Sequence, residues 1–133
     1  MSIDRHARLS RLVRVARIIY RRESAELARK HIEVRDADNS MAEAEKLLDA
    51  PLTGGDFLSQ LSVVRAARAR KQLTEANEQF SAQRDATIDA MSKKKGAESE
   101  LDLHALEQQQ FLGRRDADEM LERIARPEKA SLG

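Results

Sequence analysis

Apolar residues recur along the chain in steps of seven. In the first third, Val13, Tyr20, Leu27, Val34, Met41 and Leu48 form one such set, and all six are apolar. The set offset by four, Leu9, Ala16, Glu23, Lys30, Ala37 and Ala44, is apolar at four of its six positions. A two-membered heptad pattern sustained over about five repeats predicts a long helix with one narrow seam, the signature of a coiled coil. Further on, Ala66, Leu73, Phe80 and Thr87 repeat the spacing, accompanied by Ala69, Ala76, Gln83 and Ala90. This second seam weakens after Phe80. Ile88 and Met91 there predict a one-residue shift of the apolar edge, hence a local change of supercoil.

Between the two patterns stands a cluster of helix breakers, Pro51-Leu52-Thr53-Gly54-Gly55. Proline cannot continue a helix, and glycine accepts the positive φ of a reversal. Asp56 is placed to cap a second helix. The expectation is all-α: two long helices in an antiparallel coiled-coil hairpin, the second longer than the first, forming a single domain over 1–133. The helices are expected at 4–50 and 56–126, with a turn at 51–55 and a frayed tail at 127–133. Gly96 and Gly113 fall inside the second helix, each disfavoured by about 1 kcal/mol relative to alanine. Folding the chain at Thr53–Gly54 pairs Met41 with Ala66, Val34 with Leu73, Leu27 with Phe80 and Tyr20 with Thr87, all with one residue-number sum, 107. The two seams and the breaker cluster share one centre of symmetry. At 1.5 Å per residue the helices come to roughly 70 and 105 Å, so about 24 residues of the second overhang the first.

Charge supports the same register in part. Arg65, Arg68, Arg70 and Lys71 fall near Asp36, Asp38, Glu43 and Glu45, and Glu98, Glu100 and Asp102 near Arg5 and Arg8. Lys93, Lys94 and Lys95 fall opposite Arg11 and Arg14, a repulsive arrangement. Net charge is +1, yet the stretch from Arg5 to Arg35 is strongly basic and that from Glu98 to Glu122 strongly acidic. Aromatic residues make up 3% of the chain and charged residues 35%, a composition typical of long helices and poor for a thick globular core. Cysteine is absent, which leaves neither a disulfide framework nor a thiolate metal site. No apolar run approaches the roughly 20 residues of a membrane span, and arginines interrupt any signal-peptide core. A cytoplasmic location is expected.

Motifs that carry chemistry are missing. None of His6, His31 and His104 stands three or four residues from another, and the chain has no HExxH, no phosphate-cradling Gly-rich loop and no nucleophile elbow. The chain therefore reads as non-enzymatic, without cofactor, metal or small-molecule substrate. The candidate binding residues are of three kinds. Arg5, Arg8, Arg11, Arg14, Arg17 and Arg21 recur at near-threefold spacing, with Arg22 beside them. Arginine pairs bidentately with carboxylates and phosphates, so this run is a solvated face, a dock for an acidic protein surface or a nucleic-acid contact. Near-neutral net charge and the scarcity of stacking aromatics argue against nucleic acid. Around the turn, Phe57, Leu58 and Leu61, with Leu47, Leu52, Val63 and Val64, either cap the hairpin or form a docking tip. On the overhang, Phe111 and Leu112 are exposed candidates, with Leu106, Met120, Leu121 and Ile124 nearby.

The opening Leu9-Ser-Arg-Leu-Val-Arg-Val-Ala-Arg, followed by Tyr20-Arg-Arg-Glu-Ser-Ala-Glu-Leu-Ala, resembles the start of the FliJ/YscO family, and the two-helix layout resembles that family over nearly the whole chain. These are stalk proteins of flagellar and type III secretion export. The resemblance implies a hairpin seated in the hexameric export ATPase, coupling it to the membrane export gate, with export chaperones as further partners. It implies that the end bearing the helix termini enters the ring, here the end with Arg5 to Arg22 and the overhang. Two other classes compete: a homo-oligomeric structural coiled coil, and a nucleic-acid-binding basic helix.

Overall fold

In a computed structural model, the described residues are 2–49 and 56–126. They form two helices, α1 (Ser2–Asp49) and α2 (Asp56–Ala125). The expected turn at 51–55, with Ala50, and the expected tail at 127–133 lie outside the described residues. The fold is the expected all-α hairpin, its second helix longer than its first. α1 begins at Ser2, two residues before the expected start, and Asp4 in its first turn and Lys46 in its last complement the helix dipole.

The chain divides into two compact units, each a stretch of α1 beside a stretch of α2: one of residues 16–93, the other of residues 1–15 with 94–133. In the 16–93 unit every predicted seam position of both helices is buried or half-buried. Lys30 contacts Gln79, and Glu23 contacts Gln83 and Thr87, so numbers fall on one helix as they rise on the other and the helices run antiparallel. These pairs add to within about four of the predicted sum, so the register holds to within a helical turn. The tightest packing is small. Ala44 is 1% exposed and clusters with Ala66 and Ala69, with Met41 and Leu48 laid against them. Alanines let two backbones approach closely but bury little area. At roughly 25 cal/mol per Å² of apolar surface, such a seam leaves much of the stability to helix propensity.

The predicted shift near Ile88 does not occur. Ile88 is 59% exposed, whereas Thr87 and Ala90 are buried on the unbroken heptad. Thr87 can sit there because its hydroxyl is satisfied: Oγ1 lies 2.8 Å from the Gln83 carbonyl and 3.1 Å from the Glu23 carbonyl. Hydrogen bonding, not apolarity, keeps the phase.

In the other unit Leu9 and Val13 are buried on α1, and His104 is buried on α2, with Lys94, Ala97, Leu101 and Gln108 half-buried at the same heptad phase. His6 stands against His104, ring centroids 6.1 Å apart. Every residue from Gln109 to Arg126 is exposed. The overhang therefore begins after Gln108, later than the register of 107 implies, because α1 starts earlier and His6 pairs with His104.

Candidate functional site

The arginines follow from helix geometry. Each step of three residues turns back by roughly 60° around a helix of 3.6 residues per turn. Arg5, Arg8, Arg11 and Arg14 consequently wrap around the outward half of α1 and do not form the single stripe that their spacing suggests. All four are exposed, and so are Leu12 and Val15 between them. The surface is a basic collar with apolar inserts. Arg17 and Arg21, in the 16–93 unit, are exposed too.

The described ion pairs Arg29–Glu26, Lys30–Glu26, Lys30–Glu33, Lys93–Asp89 and Arg115–Glu119 each join neighbours on one helix. Lys93, expected to repel Arg11 and Arg14, lies 3.1 Å from Asp89. Glu26 holds the exposed Arg29 guanidinium above its ordinary pKa through a hydrogen bond and its charge.

A polar layer crosses the seam of the 16–93 unit. Gln83 Nε2 donates to the Glu23 carboxylate and, at 3.2 Å, to the Glu23 carbonyl, beside the Thr87 hydroxyl. Two turns along α1, Lys30 Nζ donates to Gln79 Oε1 at 3.0 Å. Polar residues at seam positions fix register at some cost in stability.

Around the expected tip, Leu58, Leu61, Val63, Val64 and Leu47 are exposed. The side chains of Phe57 and Leu52 lie outside the described residues. On the extension of α2, Phe111 is 63% exposed and Leu112 51%. Past Phe111 the seam phase turns charged, at Arg115, Asp118 and Glu122, so the seam does not continue as an apolar edge.

Sequence reasoning missed a second stripe. Gly96, Leu103, Leu106, Gly113, Ala117, Met120 and Ile124 occupy the two heptad positions opposite the seam, interrupted by Ser99 and Gln110, and all are exposed. A Cβ added at Gly96 or Gly113 would meet nothing within 4 Å. The same step of seven, started two residues later, finds this stripe in the sequence. An outward apolar line with small residues at two turns is shaped for another helix. Also missed was His104, which is 3% exposed with its Nε2 unpartnered; an unsatisfied buried nitrogen costs about 1–3 kcal/mol.

Among the described residues no helix is long and apolar enough to cross a membrane, and no three His, Cys, Asp or Glu side chains gather as a metal set. Compared with known protein families, characterised proteins and solved structures, the chain has no significant match.

Proposed function

We propose that the protein is a non-enzymatic stalk or adaptor of a bacterial flagellar or type III protein export apparatus, acting in the cytoplasm. Its partners on this reading are the hexameric export ATPase, the export gate and, as cargo carriers, export chaperones. The observation that carries the reading is the unit holding the chain's two ends. There an exposed basic collar, Arg5 to Arg14, accompanies an α2 extension whose described residues after Gln108 are all exposed. A ring lined by carboxylates complements such a collar, and the apolar extension supplies a second contact. The family resemblance of the opening residues supports the same assignment.

The test is the triple substitution Arg8→Glu, Arg11→Glu, Arg14→Glu. These side chains are exposed, so far-UV circular dichroism and melting should change little, since exposed substitutions usually stay within about 0.5 kcal/mol. Binding to the export ATPase and stimulation of ATP hydrolysis should fall at least about tenfold, three charge reversals exceeding the roughly 1.4 kcal/mol needed. Unchanged binding removes the collar as the site. A wild-type chain that neither binds nor stimulates the ATPase removes the stalk reading.

The outward stripe favours a second reading, a homo-oligomer in which that stripe pairs between copies. Sedimentation at micromolar concentration separates the two: a monomer fits the stalk, and a dimer lost on Gly113→Glu fits self-association.

A further inference from the structure

We propose that His6 and His104 form a divalent transition-metal site that clips the start of α1 to α2. Three observations meet there. The two imidazoles come from different helices and stand side by side, with centroids 6.1 Å apart and planes inclined by 33°. His104 is almost wholly buried, at 3% exposure, on a seam position where the heptad asks for an apolar residue. Its Nε2 is buried and has no hydrogen-bond partner.

The spacing suits one bridging ion. A nitrogen–zinc bond of about 2.1 Å puts the ion roughly 3.2 Å from a ring centroid, so two rings sharing an ion have centroids about 5.3 Å apart at the tetrahedral angle and at most about 6.5 Å apart when linear. The observed separation lies between these limits, so the two rings stand at a distance that one shared ion can span, the exposed His6 ring turning to meet it. An ion bound there gives the buried, unpartnered His104 nitrogen its partner.

The donors set the class of ion. Imidazole suits zinc, nickel and copper, with copper bound most tightly, and does not suit magnesium or calcium, which require oxygen. No third His, Cys, Asp or Glu gathers at the pair among the described residues, so water completes the shell. Such a site binds reversibly. The ion holds the hairpin and not the unfolded chain, because the two histidines are far apart in sequence, so binding stabilises the folded state. The inference is independent of the stalk reading.

The experiment titrates the metal-free full chain with Zn²⁺, Ni²⁺ and Cu²⁺, with Mg²⁺ as control, by calorimetry and by melting followed at 222 nm. One equivalent should bind each transition ion and raise the melting temperature, and Mg²⁺ should do neither. His6→Gln, at an exposed position, should weaken binding at least about tenfold without lowering the metal-free melt, and His104→Gln should weaken it equally. His31→Gln, in the other unit, should leave binding unchanged. The electron paramagnetic resonance of the Cu²⁺ complex should report two imidazole nitrogens in the wild type, a readout that does not depend on any variant folding. One imidazole nitrogen, binding indifferent to His6→Gln, or binding lost with His31→Gln would overturn the site.

Discussion

The polar layer between Glu23 and Gln83 gives the sharpest energetic test of the hairpin. Consider Glu23→Leu, Gln83→Leu and the pair together. Gln83→Leu removes the amide that donates to the Glu23 carboxylate and leaves a half-buried charge beside a new apolar side chain. A hydrogen bond to a charged group contributes about 1.5–3 kcal/mol; partial exposure of Glu23 brings the expected loss down to about 1–2 kcal/mol, part of it offset by the leucine. Glu23→Leu removes the carboxylate but keeps the backbone carbonyl that Gln83 and Thr87 also approach, so a loss of about 0.5–1 kcal/mol is expected. In the double variant no polar group is stranded and two leucines meet across the seam, which should restore stability to wild type or above. The coupling energy is therefore about 1.5–3 kcal/mol, well above the roughly 0.3–0.5 kcal/mol scatter of additive pairs. Urea unfolding followed at 222 nm, with a common m-value, measures all four corners of the cycle. Additivity within that scatter would refute the pairing of 23 with 83, and with it the register described here.

Two further outcomes follow from the same packing. Leu27→Asp with Phe80→Asp puts two carboxylates into the seam, so the melting transition should disappear or fall by tens of degrees, the sum of two losses of about 3 kcal/mol or more; an unchanged melt by circular dichroism would show that these residues do not share a seam. Gly96→Ala places a methyl group in open space inside α2 and should stabilise by about 0.5–1 kcal/mol in urea titration, whereas a loss would show that the helix is interrupted there.

The hairpin was legible because one short breaker cluster separates two heptad patterns with a common centre. Every position of the heptad sets on both helices is buried or half-buried. What misled was treating apolarity as the only qualification for the seam. Ile88 and Met91 looked the better candidates after Phe80, but Thr87 satisfies its own hydroxyl and Ala90 fits the narrow gap, so the phase never moves. The arginines were legible as exposed and basic. Their wrapping around the helix was not, because threefold spacing resembles a stripe until the 3.6-residue turn is applied. Motif spacings, which compare residues on one helix, pass over the histidine pair, although His6 and His104 both fall on the heptad seam and meet across it.

The extension of α2 beyond Gln108 has no partner helix among the described residues, and a free peptide of its length would hold little helix in water, since starting a helix is the unfavourable step. Here that step is already taken: the paired portion presents a finished end onto which further turns add one hydrogen bond at a time, through to the bond from the Arg126 amide to the Glu122 carbonyl. The extension is thus a seeded helix whose order is lent by residues upstream. A surface that grips Phe111 or Met120 would find them partly arranged beforehand, and any change that loosens the histidine end of the seam would be felt as weaker grip several turns away, without a single gripping residue altered.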